Sequence, residues 1–397
     1  MSQELQLRQQ AIRLKQAGWS VTSICLYLHR SREWFYHWWR RYSLGGPPAL
    51  RDQSRAPKTG RTVVSDQMRQ AILCVRDRLM RRHGPRERYR LAGAPTIRYE
   101  LECLGYTDLP SLRTIERVLQ TSQRTAPAFH SQPRVASNDY PGVRASHSNQ
   151  VHQLDLIGPR YLKGSRRQWY FLVYQDSYDQ AVYVEFQPKP KLEVLLAFVV
   201  RAWQRLGLPD ILQVDNGELF GHTSHPGSLN RFIRLALLVG VELTFIPERE
   251  PWRNGSVERF NRWMQERLLA LELHSPAQVR RELEALMRCC FEEHIHAQLG
   301  FQTAAQVRQG LNLRRLPADF AGHQQGLPVS VGRVSFIRRV RRSGQITVLG
   351  VKVRVGKRLA QRYVRVTLYT RTMTLKVYHQ RHLVKQLPFP FVGKLRV

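Results

Sequence analysis

Near residue 150 the spacing of the apolar residues changes. Upstream they recur every three or four positions, the period of a helix. From Val151 they come in short runs of β-branched and aromatic side chains, which read as strands. The pattern predicts strands at 151–157, 169–175 and 181–186, a helix at 192–206 and a strand at 211–214. A helix at 228–239, a strand at 242–246 and a long helix starting near Asn254 follow. Three strands joined by short turns, then strands alternating with helices, describe a mixed α/β sheet. A core domain is therefore expected over residues 150–310.

The flanks read differently. Residues 1–45 predict three short helices, with Ser20 and Ser31 placed to cap the second and third. Helix, tight turn, helix is the pattern of a helix-turn-helix. Trp34, Trp38 and Trp39 are expected to pack this small bundle, leaving Arg32, Arg40 and Arg41 of the third helix for DNA. A basic linker rich in Gly, Pro and Ser is expected at 46–64. A second helix-turn-helix follows at 65–125, with helices at 66–82, 96–104 and 112–120. Ser111 caps the last of these, which carries Arg113 and Arg117 as candidate DNA contacts. A second linker is expected at 126–149. After Pro328 the chain is strand-like and Gly-punctuated. Residues 328–397 hold seventeen Lys or Arg and no Asp or Glu. Alternation as in Val351-Lys-Val-Arg-Val turns apolar side chains inward and basic ones outward. A small basic β-barrel is expected over 328–390, with Arg338, Arg339, Arg341 and Arg342 offered to nucleic acid.

Charge narrows the partners. Lys and Arg number 63 against 30 acids, a formal net charge of +33. Such an excess suits a polyanion, because each phosphate neutralised by Lys or Arg releases condensed counterions. Anionic membrane surfaces are attracted as well. No apolar run approaches the ~20 residues that span a bilayer, and the polar start MSQELQLRQQ lacks the apolar core of a secretion signal. The five cysteines are odd in number and never spaced C-x-x-C, against both a disulfide framework and a Cys-rich zinc site. A reducing, cytoplasmic setting is expected.

Three acids stand out. Asp155 interrupts an otherwise apolar strand, where a carboxylate is costly unless paired or bound to a cation. Asp215 ends the strand Ile-Leu-Gln-Val-Asp and opens the turn Asp-Asn-Gly. Glu258 lies one turn into the helix that begins at Asn254-Gly255. Each alone has an ordinary reading, as a turn residue or a surface helical Glu. Together, two strand-borne Asp and one helix-borne Glu can converge on one sheet edge. Hard divalent ions bind through a few such carboxylates plus substrate phosphate. Two ions stabilise the entering and leaving oxygens of an in-line phosphoryl displacement. Glu248 and Glu250 are rivals for the third position. Asn261, Arg262 and Gln265, at i+3, i+4 and i+7 from Glu258, share its helix face and are candidate DNA contacts. His152 and His222 are near enough in sequence to the motifs to touch the site, although a lone His is more often structural. Turn chemistry accounts for Asp176 and Asp179.

The motifs His-Gln-Leu-Asp155, Val-Asp215-Asn-Gly-x-x-Phe220 and Trp252-Arg-Asn-Gly-Ser-Val-Glu258-Arg-Phe-Asn261 resemble the catalytic core of bacterial insertion-sequence transposases related to retroviral integrases. His294-Ile-His-Ala-Gln-Leu-Gly300 with Thr303-Ala304 is similar to the segment that follows the family's catalytic helix, without its usual Arg-Pro and Thr-Pro pairs. The resemblance covers residues 151–304. It implies a ribonuclease-H-like core whose Asp155, Asp215 and Glu258 hold two Mg²⁺ ions, with Mn²⁺ as a substitute. It further implies binding to double-stranded element ends, 3′-end cleavage and strand transfer into target DNA. A homo-oligomer synapsing two ends is implied, and an ATPase target-selection partner is left open. Two other readings use the same charge. One is a non-catalytic DNA-binding regulator or domesticated relative. The other is a structural nucleoid or RNA-binding protein, which leaves the three acids unexplained.

Overall fold

The computed structural model describes residues 3–52, 64–81, 85–125, 140–221, 225–248, 250–322, 324 and 326–391. The linker expectations therefore fall largely outside the described residues, as does His222. The chain divides into two compact units, 1–63 and 64–397.

In the first unit α1 (Gln3–Gln16), α2 (Val21–Leu28) and α3 (Arg32–Gly45) follow the predicted pattern. Ser20 Oγ accepts from Ser23 N and Ser31 Oγ from Trp34 N, so both serines satisfy amides that a helix start leaves free. Ala11, Ile24, Cys25, Leu28 and Phe35 form the core. Trp38 is buried among Ile12 and Leu50, and the Arg8 and Arg41 guanidinium groups lie 3.7 and 4.5 Å from its ring.

The second unit opens with α4 (Asp66–Met80), α5 (Pro85–Arg88), α6 (Ala94–Cys103) and α7 (Leu112–Thr121). Ile72, Val75, Ile97, Leu101, Ile115 and Val118 pack this bundle. It is docked onto the core through Arg88 and Tyr89 on Glu282 (2.7 and 2.5 Å) and Arg90 on Glu293 (2.5 Å).

The core sheet begins with the meander β1 (Val151–Arg160), β2 (Trp169–Asp176) and β3 (Val182–Pro188). After α8 (Leu192–Leu206), β4 (Ile211–Val214) joins parallel to β1. The short α9 (Glu218–Gly221) and α10 (Arg231–Leu238) lead to β5 (Glu242–Phe245), parallel to β4. α11 (Gly255–Leu269), α12 (Pro276–Glu292) and α13 (Ala304–Arg308) complete this part. Successive strand residues face opposite sides. Leu154, Leu172 and Tyr174 pack with α8 and α10, whereas Phe171, Val173 and Val184 pack with α11 and α12. The sheet is thus filled on both faces.

The last segment departs from expectation. β6 (Arg333–Arg339), β9 (Tyr363–Tyr369), β10 (Thr374–His379) and β11 (His382–Pro388) close no separate barrel. They extend the core sheet to nine strands in the order β11-β10-β9-β6-β5-β4-β1-β2-β3, while β7 (Gln345–Val348) and β8 (Val351–Arg354) form a hairpin apart from it. β6 runs parallel to β5. The edge groups of β5 find partners there, and an unpaired strand edge is a liability. Phe336 stacks on Phe245 at 5.0 Å. Val334, Phe336, Val364, Val366 and Val377 join the same core cluster as α8 and α10. The basic alternation itself is as read: Val353 is buried between exposed Lys352 and Arg354.

One polar cluster locks the start of β1. Asp176, Asp179 and His152 are fully buried. Arg308 of α13 donates from Nε to Asp179 (2.6 Å) and from a terminal nitrogen to Asp176 (2.7 Å). The two Asp also accept turn amides from Tyr178 (2.8 Å) and Ala181 (2.9 Å). Turn chemistry alone therefore does not account for them. No helix among the described residues is long and apolar enough to cross a membrane.

Candidate active site

β1 and β4 pair with Val151 opposite Ile211, His152 opposite Leu212 and Gln153 opposite Gln213. The offset is 60 at each pair (211 − 151), so two residues further along Asp155 stands level with Asp215. Adjacent strands are about 4.8 Å apart, and alternation puts each Asp on the same side as the Gln two residues before it. That side faces α11. Gln153 Oε1 accepts from Val257 N at 3.0 Å. Gln213 Nε2 donates to Asn254 Oδ1 (2.9 Å) and to the Arg253 carbonyl (3.1 Å). Asn254, buried, donates onward to the Leu154 carbonyl (3.3 Å). The two glutamines and Asn254 seat the start of the helix that carries Glu258. Sequence reasoning quoted Gln153 and Asn254 within its motifs but gave none of the three this seating role. The available signal was a repeated Gln-x-Asp, inside one apolar strand and at the end of another.

Asp155 Oδ1 accepts from Leu156 N at 2.9 Å, and Oδ2 accepts from Asn261 Nδ2 at 2.6 Å. Burial, then the nearby charges of Asp215 and Glu258, push its carboxyl up to about 7, against the pull of those two hydrogen bonds. Burial also raises the Asp215 carboxyl, although Gly217 N donates to its Oδ1 at 2.8 Å. A Cβ at residue 217 would stand 3.0 Å from that same oxygen, so glycine lets the Asp-Asn-Gly turn close. Among the described residues no salt bridge involves Asp155, Asp215 or Glu258. No group of three or more His, Cys, Asp or Glu among them is gathered closely enough to hold a metal ion. Like charges without a cation between them repel. The donors are hard oxygens, the kind Mg²⁺ takes, and buried Asn261 Oδ1 beside Asp155 has no hydrogen-bond partner.

The other candidates separate. Asn261 is buried against Asp155 and does not face solvent as a DNA contact does. Gln265 is engaged by Arg160 and the Asn261 carbonyl, whereas Arg262 is exposed. Glu250 is tied to Tyr363 (2.6 Å) and Arg253 (3.0 Å), which commits the carboxylate of that rival elsewhere. Glu248 instead lines a cleft of about 290 Å³ with Arg338, Arg339 and Arg341. His152 belongs to the Asp176 cluster, bonding Tyr174 and Asn149 at 3.1 Å each. Arg32 and Arg40 are exposed on α3, and Arg41 is half-buried, donating to the Arg51 carbonyl at 3.0 Å. Arg113 and Arg117 are exposed one turn apart on α7, and Arg339, Arg341 and Arg342 are exposed at the end of β6. Arg338 is the exception. It is buried with its guanidinium on the Ile246 carbonyl (3.2 Å) and Asn216 Oδ1 (2.8 Å). The β7–β8 hairpin accepts from its Nε through the Thr347 carbonyl (3.1 Å), so little of it meets solvent beyond the floor of that cleft.

A winged helix-turn-helix family model matches residues 8–70. The structure is similar to that of the HTLV-2 integrase catalytic core domain in complex with magnesium. That match has 18% identity over 42% of this chain and 100% of that one, with a TM-score of 0.33. It is similar also to a simian T-cell lymphotropic virus intasome in complex with the PP2A regulatory subunit B56 gamma. There the identity is 14% over 76% of this chain and 95% of that one, with a TM-score of 0.36. The BIV integrase catalytic core matches at 18% identity over 40% of this chain and 93% of that one, with a TM-score of 0.31.

Proposed function

We propose that this chain is a DNA transposase or integrase of a bacterial mobile element. It binds double-stranded element ends, frees a 3′-hydroxyl by hydrolysis and joins that end to target DNA by transesterification. The observation that carries this reading is Asp155. It is a carboxylate held inside a sheet, beside Asp215 and Glu258, with no cationic partner among the described residues, in a chain of net charge +33. Such a group is costly unless a cation completes it. Asp155, Asp215 and Glu258 would hold Mg²⁺, or Mn²⁺ in its place, which would supply activation of the attacking oxygen and stabilisation of the leaving one.

The protein's own residues prepare that chemistry. Asn261 and Leu156 N hold both oxygens of Asp155, and Gly217 N holds one of Asp215. Gln153, Gln213 and Asn254 set the first turn of α11, and with it Glu258. Exposed Arg32 and Arg40, Arg113 and Arg117, and Arg339, Arg341 and Arg342 grip phosphates, with Arg262 nearest the three acids in sequence. Two ends brought together require at least two copies of the chain.

The test is strand transfer by purified protein, using labelled duplexes that carry the element ends and supercoiled plasmid in Mg²⁺ or Mn²⁺. Wild type is expected to give joined products, and Asp155→Asn, Asp215→Asn and Glu258→Gln to stay at background. Activity in Glu258→Gln would remove that residue from the site. A second reading, a non-catalytic DNA-binding regulator, draws on the three acids not being gathered closely enough to hold an ion. Tight end binding by wild type without nicking or joining in either metal would establish that reading and end the first.

A further inference from the structure

Arg338 was read from sequence as one of several surface cations, yet its surroundings single it out. β6 pairs with β5 through Leu243 opposite Val334, Thr244 opposite Ser335 and Phe245 opposite Phe336. Two residues beyond the last pair, the Arg338 side chain turns back over the end of β5. One terminal nitrogen donates to the carbonyls of Ile246 (3.2 Å) and Ile337 (3.0 Å), Nε donates to the Thr347 carbonyl (3.1 Å), and the other terminal nitrogen donates to Asn216 Oδ1 (2.8 Å). Asn216 Nδ2 meets the same Ile246 carbonyl at 2.5 Å. Both ends of the Asn216 amide are therefore fixed, and Asn216 is the residue after Asp215.

The energetics favour a role beyond packing. Arg338 is 8% exposed, and its four acceptors are neutral. Glu248 lines the same cleft and its charge favours the guanidinium, but among the described residues the two form no ion pair, and burying a guanidinium without a carboxylate bonded to it is costly. An apolar side chain would fill the same space without that cost. What a guanidinium adds is a rigid fork of donors that can hold two strand ends and a turn together. The turn so held is Asp215-Asn216-Gly217.

We propose that Arg338 is a positioning residue of the active site, fixing the Asp215 turn from a strand 122 residues further along the chain. The C-terminal strands are then part of the catalytic apparatus as well as a basic surface. This rests on the activity proposed above. Arg338 acts on the metal ligand through Asn216, and groups that orient a ligand typically change metal affinity by ~10–100-fold when removed.

The experiment compares full-length wild type, Arg338→Met, Arg338→Lys, Asn216→Ala and the Arg338→Met/Asn216→Ala pair. Mn²⁺ binding to the DNA-free proteins is read by electron paramagnetic resonance, alongside thermal midpoint and end-DNA affinity. Arg338→Met is expected to weaken Mn²⁺ binding at least ~10-fold while end-DNA affinity stays close to wild type. Lysine, with a point charge in place of a fork, recovers part of the loss. The double variant is expected to bind Mn²⁺ no more weakly than the weaker single one, because both substitutions break one contact. Should Arg338→Met fail to fold, Arg338→Lys with and without Asn216→Ala gives the same comparison. Wild-type Mn²⁺ affinity in Arg338→Met, or losses that multiply in the double variant, would overturn the inference alone. Wild type that binds no Mn²⁺ would overturn the proposed activity and this inference with it.

Discussion

His152 and Asp155 are three residues apart on β1, and each sits with a group of acids, fully buried around His152 and half-buried around Asp155. Around His152, two fully buried aspartates share the guanidinium of Arg308 and accept turn amides besides. Burial raises the Asp176 carboxyl, but His152, Arg308 and the Asn149 amide outweigh it and hold it below its ordinary value. Around Asp155 the hydrogen bonds are amides alone, and the carboxyl is pushed up to about 7. One cluster is neutralised from within, and the other, on the function proposed above, would be neutralised by a cation from outside. The acids in a fold are thus sorted less by how deeply they sit than by who neutralises them.

The difference is open to breaking at Arg308. Replacing it with Met leaves Asp176 and Asp179 buried without their cation, and removing one partner of a buried pair costs about 3–5 kcal/mol. The sign with pH follows from the depressed Asp176. A carboxyl whose pKa is lower folded than unfolded stabilises above its unfolded value, and that contribution is lost as pH falls through the folded one. Arg308→Met is therefore expected to lose most stability near pH 6 and progressively less below about pH 4, as read by urea unfolding at pH 6 and near pH 2.5. Equal losses at the two values would show that Arg308 serves packing rather than charge.

How these clusters read from sequence differs as well. Asp155 was legible because a lone acid in an apolar strand violates the rule for buried residues. Arg308 was not, since an Arg at the end of a short helical stretch looks like surface until the fold brings it 129 residues back to Asp179. The same holds for Gln153 and Gln213. A glutamine in a strand reads as an outward position, and only the pairing of β1 with β4 shows both covered by α11. The strands after Pro328 were legible one by one. Their partner was not, because alternation gives a strand an apolar face without saying which sheet edge it will meet. Pairing with β5 made an extended sheet of the expected barrel, and it buried Arg338 among residues rightly read as exposed.

At Asp155 the dependence of stability on pH runs the other way. Asp155 has a folded pKa of about 7, above its unfolded value. Between those two values the folded state holds the extra proton, so stability falls as pH rises, and the cost is complete above about 7. Asp155→Asn removes that cost. In metal-free protein it is expected to raise stability on the order of 2 kcal/mol at pH 8, after discounting for partial exposure, and by little at pH 4. Thermal midpoints at the two values measure it. The variant expected to end the proposed strand transfer is thus also expected to be the more stable protein, a trade common at functional sites. A midpoint lowered at pH 8 would mean that Asp155 is satisfied by the protein alone, as Asp176 is.

The smallest effect concerns how finely the Asp155 side of the comparison is tuned. Asn261 Nδ2, at 2.6 Å, favours the charged carboxylate and holds its pKa down against burial. Asn261→Ala withdraws that donor and leaves the Leu156 amide in place. The Asp155 carboxyl is then expected to titrate higher by up to about one unit, or roughly 1.4 kcal/mol, followed by carbon-13 NMR of labelled aspartate in metal-free protein. Because a proton and a cation compete for the same oxygens, Mn²⁺ binding at pH 6 should suffer more in this variant than binding at pH 8. An unmoved titration would mean that the Asn261 bond does not form in solution. A moved titration with Mn²⁺ binding equally weakened at both values would mean that Asn261 supports the site by shape alone. A moved titration with the loss confined to low pH would identify Asn261 as the group that keeps Asp155 ionised for its cation.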